Sequence, residues 1–155
     1  MTGESIIADC RRRGWPATLA RAWARRGLRR WTPLQRAAWR AGLDTSGEDW
    51  LIAAPTSAGK GLVAEVVSLE RLFRGEKVLW LAPTRALAEA LWTDLSLTLE
   101  PLGLRAACAS GDHPAPDGAI ERGQWDLLVA VYEKALQWLV RQPDGLAGGG
   151  LVVAD

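Results

Sequence analysis

The sequence has few of the residues that build metal centres, disulfide frameworks or histidine-based active sites. Its 155 residues include two cysteines and one histidine. Cys10 and Cys108 lie far apart, with no CxxC spacing or Cys/His cluster around them, which argues against a zinc site and against disulfides. His113 lies in a Pro/Asp/Gly-rich stretch without a Ser, Cys or carboxylate at a catalytic spacing. We assign it no catalytic role.

Long hydrophobic runs are also missing. No stretch approaches the roughly 18 apolar residues that a membrane span needs, and residues 1–10 lack the apolar segment of a secretory signal. We therefore expect a soluble protein of the reducing cytoplasm. The 48% hydrophobic and 24% charged residues are typical of a globular protein. A chain of this length can bury about 70% of its unfolded surface, so it needs no metal or disulfide to fold.

Charge divides the chain into two segments. Residues 1–43 hold ten arginines against Glu4 and Asp9, a net charge of +8, whereas residues 44–155 carry a net charge of −7. Because the two parts differ so strongly, we interpret them separately. The first is predicted to be a basic helical N-terminal segment, and residues 44–155 a larger domain.

Helical spacing marks two elements in the N-terminal segment. Pro16 and the apolar residues after it predict a helix over about residues 16–30. A second, short helix is predicted to begin near Pro33 and to end before Gly42. Four tryptophans recur every eight residues, a spacing that does not keep them on one helix face, and we treat the repeat as coincidence; they are Trp15, Trp23, Trp31 and Trp39.

The first predicted helix also carries a basic face. Arg21, Arg25 and Arg29 recur every fourth residue, with Arg26 and Arg30 beside them. Such a face is usually solvated or paired with acidic groups, here those of the negatively charged remainder. Contact with a nucleic-acid backbone is the alternative.

From residue 50 onward, short apolar runs alternate with segments of helical period. The runs predict buried strands at residues 50–54, 78–82, 104–109, 127–131 and 151–154. Helices are predicted over residues 62–73 and 87–99. This alternation predicts an α/β fold, with a largely parallel sheet covered by helices on both faces. Ligands of such folds bind at the carboxyl ends of the strands.

A segment between the first predicted strand and helix has the context of a phosphate-binding loop. It reads Ala54, Pro55, Thr56, Ser57, Ala58, Gly59 and Lys60. Backbone N–H groups would bind phosphate oxygens, Gly59 would permit close approach, and Lys60 would reach the terminal phosphates. A surface turn with an exposed lysine is the alternative. Such loops normally continue with a Ser or Thr that binds magnesium, where this sequence has Gly61.

Together with its neighbouring segments, the chain over about residues 31–155 resembles the first RecA-like domain of superfamily 2 DEAD/DEAH-box helicases, in the Ski-like branch. Pro33-Leu34-Gln35 looks like the adenine-reading element of that family. The resemblance implies that the Gln35 amide binds adenine. Taken alone, a glutamine after proline on a short helix is usually a polar surface residue.

Pro83, Thr84 and Arg85 begin a segment that resembles motif Ia of the family, which contacts the sugar-phosphate backbone of a bound strand. An ordinary helix cap is a compatible alternative. Ser110-Gly111-Asp112 and residues 131–136 are similar to two later segments on the nucleic-acid side. The resemblance gives roles there to Gly111, Asp112, Tyr132 and Lys134. Tyr132 and Lys134 could equally be a helix start with one solvated charge.

Residues 151–155 resemble the strand that delivers motif II, which implies that Asp155 holds Mg²⁺ through water. A solvated end group is the alternative. The resemblance further implies ATP as cofactor, Lys60 and Asp155 as catalytic residues, DNA or RNA as partner, and a second RecA-like domain. This sequence contains neither that domain nor the motif II glutamate, so we expect the 155-residue chain to bind nucleotide but to hydrolyse it poorly.

Two further functions compete with this interpretation. One is a binding module for nucleotide and nucleic acid that hydrolyses nothing. The other is a different phosphate-loop enzyme, such as a kinase or a small GTPase-like protein, in which residues 83–88 would have no evident purpose.

Overall fold

The structure is a computed structural model that describes residues 5–111, 120, 122–143 and 150–154. The chain separates into two compact units, residues 1–70 and residues 71–155. They are described one at a time. Asp112, His113 and Asp155 lie outside the described residues. None of the described helices is long and apolar enough to cross a membrane.

The described residues of the first unit, from residue 5 onward, form three short helices and most of a fourth. These are α1 (Ile6–Arg12), α2 (Ala17–Arg25), α3 (Pro33–Arg40) and α4 (Lys60–Phe73), whose last residues belong to the second unit. The helix predicted from Pro33 is confirmed, because Thr32 caps it and proline occupies its first turn. Helix α1 was not predicted from the sequence.

The predicted helix over residues 16–30 is too long. Gly27 has a left-handed φ of +79°, and the N–H of Leu28 donates to the carbonyl of Trp23 at 2.9 Å. These are the features of a Schellman motif, which ends a helix. Arg29 therefore lies beyond α2 and does not continue the row of Arg21 and Arg25.

The predicted strand at residues 50–54 is wrong. These residues lead into the phosphate loop without forming a strand, and Leu51 is 94% exposed. Ile52 packs against a small core of Ala38, Leu43 and Val63. The apolar run thus contributes one core side chain and no backbone ladder.

The four regularly spaced tryptophans form one continuous row of edge-to-face contacts, which we call the tryptophan ladder. Ring centroids lie 5.8 Å apart from Trp15 to Trp23, 5.8 Å from Trp23 to Trp31 and 5.5 Å from Trp31 to Trp39. Such pairs stabilise a core beyond their buried area. The interpretation of the repeat as coincidence is wrong, because the rings come from different elements and meet in space.

Arg13 connects the two ends of the ladder. Its guanidinium carbon lies 4.9 Å from the ring centre of Trp15 and 5.7 Å from that of Trp39. It also forms ion pairs with Asp9 and Asp44, both buried carboxylates. Burial alone would lower the pKa of Arg13, but the hydrogen bond and charge of Asp44, with those of Asp9, raise it.

In its described part, the second unit contains a four-stranded parallel sheet in the order β2-β3-β1-β4. Its strands are β1 (Lys77–Ala82), β2 (Ala106–Ala109), β3 (Leu127–Val131) and β4 (Gly150–Ala154), and its helices are α5 (Arg85–Leu99) and α6 (Tyr132–Arg141), with a 3₁₀ turn at Glu100–Leu102. All five residues of β3 are buried. The four strands predicted after residue 77 are confirmed within two residues at each end, as is the α/β class.

The core of this unit packs between strands β1 and β3 and helix α6. It includes Leu79, Trp125, Leu128, Ala130 and Ala135. Strand β4 lies at one side of the described sheet, and Val152 on it is half-exposed. The carboxyl ends of β1, β2 and β3 all point the same way, because the three strands are adjacent and parallel.

We predict that Arg13→Met destabilises the first unit by about 3–5 kcal/mol, because it removes the counter-charge of two buried carboxylates. The double variant Arg13→Met/Asp44→Asn should recover part of this loss, since it leaves no charge buried at position 44. Urea unfolding followed by tryptophan fluorescence measures both. Arg11→Met is the matched control, since Arg11 is exposed on α1, the helix that Arg13 follows. Additive effects of the two substitutions would contradict the prediction.

Candidate functional site

The phosphate loop ends where α4 begins, and it presents backbone N–H groups there. The first hydrogen bond of the helix runs from the N–H of Val63 to the carbonyl of Gly59, at 3.4 Å. The N–H groups of Lys60, Gly61 and Leu62 precede that bond, so they are the donors that a helix start leaves for a ligand. Ser57 and Gly59 have positive φ of 65° and 94°. Such turns build concave anion sites from backbone N–H groups.

Lys60 lies folded over the same loop. Its Nζ donates to the carbonyl of Ala54 at 2.8 Å and to that of Pro55 at 3.2 Å. The ammonium group is therefore held at the loop by two carbonyl acceptors. A phosphate bound to the loop would find the positive charge already in place.

Gln35 is buried and bonded to the loop. It is 2% exposed, and its Nε2 donates to the carbonyl of Gly59 at 3.1 Å. Its Oε1 accepts from the N–H of Thr32 at 2.8 Å. The interpretation of Gln35 as a polar surface residue is wrong. Each amide atom keeps one further hydrogen-bonding position, a second N–H on nitrogen and a second lone pair on oxygen.

Thr32 is a site residue that the sequence analysis missed. Its hydroxyl accepts from the N–H of Gln35 at 3.3 Å and donates to the carbonyl of Ala58 at 2.9 Å. The available signal was the spacing of Thr32 and Gln35, which is that of a capping box. The same box thus caps α3 and binds two consecutive carbonyls of the phosphate loop.

The two glycines of the site differ in their surroundings. A Cβ added at Gly59 would lie 2.5 Å from Nε2 of Gln35, and the residue has a left-handed φ. A Cβ added at Gly61 would meet nothing within 4 Å. Gly59 is therefore required by the close approach of Gln35, whereas a side chain at position 61 would fit.

Oxygen ligands for a magnesium ion are sparse in the described part of the site. The loop offers the exposed hydroxyls of Thr56 and Ser57, and position 61 has none. No cluster of three or more His, Cys, Asp or Glu side chains with metal-binding geometry occurs among the described residues.

The predicted nucleic-acid residues of the second unit meet at one edge of its sheet. Pro83, Thr84 and Arg85 follow β1, Gly111 follows β2 after one residue, and Tyr132 and Lys134 open α6 directly after β3. All six residues are exposed. Since β2, β3 and β1 are adjacent and parallel, their carboxyl ends bring these residues together.

Contacts along this edge hold its backbone in place. The Thr84 hydroxyl caps α5 by accepting from the N–H of Leu87 at 3.2 Å, so the helix-cap interpretation is confirmed. The guanidinium of Arg85 lies 3.7 Å from the position of a Cβ at Gly111. Buried Ser110 donates to Glu89 Oε1 at 3.1 Å. Burial raises the pKa of nearby Cys108, with Ser110 opposing and Glu89 adding to the shift.

A parallel sheet flanked by helices, together with a loop of this geometry at a helix start, defines an α/β phosphate-loop protein. Comparison with known families identifies which one. Residues 32–155 match the DEAD/DEAH box helicase family, and the chain belongs to that family.

Two relatives show the same similarity. The chain is 35% identical over 131 residues to the ATP-dependent DNA helicase Hel308 of Thermococcus kodakarensis, a match that covers 84% of this chain and 11% of that protein. It is 38% identical over 111 residues to Hel308 of Pyrococcus horikoshii, covering 71% of this chain and 15% of that one. The chain therefore spans a small fraction of the length of these relatives.

Solved structures confirm the fold. The yeast DEAD-box splicing factor Prp28 superposes with a TM-score of 0.71 at 21% identity, over 90% of this chain and 36% of that one. Prp28 of Chaetomium thermophilum, an RNA helicase bound to ADP, gives a TM-score of 0.66 at 21% identity, over 99% and 45% of the two chains. The α/β fold predicted from the sequence is thus the RecA-like fold of these helicase domains.

We predict opposite outcomes for alanine substitutions at Gly59 and Gly61, the two residues that flank Lys60. Gly59→Ala should destabilise the first unit by about 1–2 kcal/mol or more, because of its left-handed backbone and the displacement of Gln35. Gly61→Ala should be neutral or stabilise by up to about 1 kcal/mol, as for alanine at an open helix position. Chemical denaturation measures both, and equal effects would contradict the assignment of the contact to Gly59.

Proposed function

We propose that this chain is the ATP-binding N-terminal lobe of an ATP-dependent nucleic-acid helicase, whose parent protein couples ATP hydrolysis to movement along a strand. The observation that carries the proposal is the phosphate loop at the start of α4, fastened through its Gly59 carbonyl to the buried amide of Gln35. The family match supports the activity of the parent protein.

Each part of the loop has a role in this proposal. The backbone of Pro55 to Gly61 surrounds the phosphates, with the N–H groups at the start of α4 as donors. Lys60 exchanges its two carbonyl acceptors for the terminal phosphates. The remaining N–H and lone pair of the Gln35 amide match the donor and acceptor on the adenine edge.

The Mg²⁺ that accompanies ATP would neutralise the charge that develops during phosphoryl transfer. The described residues fit this ion less well than they fit the phosphates, because position 61 supplies no hydroxyl. We propose that Asp155 holds the ion through water and that the 155-residue chain binds ATP with strongly impaired turnover.

A second candidate function is a binding module for nucleotide and nucleic acid that does not hydrolyse ATP. Gly61 favours it, because the space that a serine or threonine side chain would occupy is open. In this case the ligands are the same and only the reaction is missing.

The nucleic-acid partner is proposed to bind as a single strand along the sheet edge that carries Thr84 and Arg85. The starts of α5 and α6 place backbone N–H groups at this edge, where phosphate is favoured. Gly111, Asp112, Tyr132 and Lys134 complete the proposed surface. A second RecA-like domain is the expected protein partner. The buried, unpaired thiols of Cys10 and Cys108 suit a reducing compartment such as the cytoplasm.

We expect the 155-residue chain to bind ATP more tightly than GTP, by about 1–3 kcal/mol if the amide reads the base. Lys60→Ala should weaken the binding of both nucleotides, whereas Gln35→Ala should weaken ATP more than GTP. Isothermal titration at fixed Mg²⁺ measures the affinities. Equal affinities for ATP and GTP, unchanged in Gln35→Ala, would remove the glutamine from the base site.

Single-strand binding should depend on Arg85 and not on an equally exposed arginine elsewhere in the unit. Arg85→Gln should lower the slope of log K against log salt by about 0.7, the value for one phosphate contact on a single strand. Arg74→Gln is the control, since Arg74 is exposed and precedes β1, at the other end of the strands. Fluorescence anisotropy with labelled DNA and RNA oligonucleotides measures both slopes. The same slope in both variants would move the binding surface away from this edge.

A further inference from the structure

We propose that Trp23, Arg26 and Glu65 are positioning residues for nucleotide binding, because they hold the helix that carries the phosphate-binding N–H groups. The inference rests on the proposed function of the phosphate loop. It assigns a role in that site to Trp23 and Arg26, which precede the family match at residue 32.

Glu65 is a buried carboxylate on the phosphate-binding helix. It lies five positions after Lys60, which is about 7.5 Å along the helix axis, and its side chain is 3% exposed. It accepts from the indole N–H of Trp23 at 2.7 Å and from the guanidinium of Arg26 at 2.7 and 2.9 Å. Both donors belong to α2 or to the residue that ends it.

A second contact of the same kind lies further along α4. The indole N–H of Trp15 donates to Glu70 Oε1 at 3.0 Å. At the other end of the helix, Thr32 and Gln35 hold the loop through the carbonyls of Ala58 and Gly59. Side chains from residues 15–35 therefore contact this part of the chain at three places, which are the loop, Glu65 and Glu70.

The chemistry of these contacts makes them sensitive to small shifts. Loss of the donors to a buried carboxylate strongly destabilises a protein. Helix α4 is therefore held at the position where both Trp23 and Arg26 reach Glu65. Binding sites built from fixed donors need those donors placed within about 0.5 Å. A helix fixed at Glu65 keeps the N–H groups at its start in register with the phosphates.

The tryptophan ladder links these contacts to one another. Trp15 and Trp23, which donate to α4, are in edge-to-face contact. Through Trp31 the ladder continues to Trp39 on α3, the helix that also carries Gln35. The ladder therefore packs the two donors to α4 and the helix that carries Gln35 into one core, and the ring that donates to Glu65 is Trp23.

The ladder also contains its own control. The indole N–H of Trp31 donates to Asp9 Oδ2 at 3.0 Å. This contact has the same chemistry and a buried acceptor, but Asp9 lies on α1 and not on α4. Substitution of Trp31 by phenylalanine keeps an aromatic ring in the ladder and removes only an indole donor to α1, so the donors to α4 remain in place.

The test compares Trp23→Phe with Trp31→Phe in the full 155-residue chain, with mant-ADP as the probe and unfolding stability measured alongside. Loss of a hydrogen bond to a charged group predicts that Trp23→Phe weakens mant-ADP binding about tenfold. Trp31→Phe should leave the Kd within about twofold of wild type. Glu65→Gln should retain more affinity than Glu65→Met, since its amide oxygen can still accept from Trp23.

A second readout separates positioning from general loss of stability. Hydrogen exchange without nucleotide should become faster at the amide of Val63, which donates to the Gly59 carbonyl, in Trp23→Phe and stay unchanged there in Trp31→Phe. Equal Kd values and equal exchange in the two variants, with wild type binding normally, would overturn the inference alone. If wild type fails to bind mant-ADP, or binds it as Lys60→Ala does, the proposed function is wrong and the inference falls with it.

Discussion

Burial of three carboxylates constrains the whole first unit. Asp9, Asp44 and Glu65 are each almost fully buried, and a buried carboxylate is tolerated only where donors surround it. Two arginines and a tryptophan contact Asp9, Arg13 contacts Asp44, and Trp23 with Arg26 contacts Glu65. The helices of the unit must therefore meet where these donors converge. The basic charge of the N-terminal segment has a structural use in this arrangement.

Elements that a local sequence pattern encodes were predictable, whereas those that depend on contacts between distant residues were not. The four strands after residue 77 and helix α5 were predictable, because each is a short apolar run or a periodic segment whose pattern matches its surroundings. The run at residues 50–54 has the same composition but no strand pairing, and composition does not reveal whether a neighbouring strand exists. The tryptophan ladder was missed for a related reason. Residues eight apart do not share a face of a single helix, whereas the rings come from α2, α3 and the residues before them.

The candidate site likewise contains some features that a local sequence pattern reveals and one contact that it does not. Order along the chain was enough to find the loop and Lys60, since a strand-like run, a loop and a helix follow one another. The contact between Gln35 and Gly59 joins residues 24 positions apart, and no local pattern encodes it. That contact decides which glycine is required. From the sequence, Gly59 and Gly61 differ only by their place in a motif, but in the structure one faces a buried amide and the other faces open space.

Binding and turnover place different demands on such a loop. Backbone N–H groups, an ammonium and a base-reading amide act on the nucleotide before and during the reaction alike, so they contribute mainly to affinity. A metal anchored by the protein acts where charge develops in the transition state, and so contributes to rate. The described contacts to α4 and the loop, including the one between Trp15 and Glu70, all contribute to affinity. Each of them fixes backbone donors before the nucleotide binds. On the proposed function, affinity would then depend on the packing of the first unit, whereas the rate would depend on oxygen ligands that this packing does not supply. The two properties should therefore be separable by substitution within this one chain.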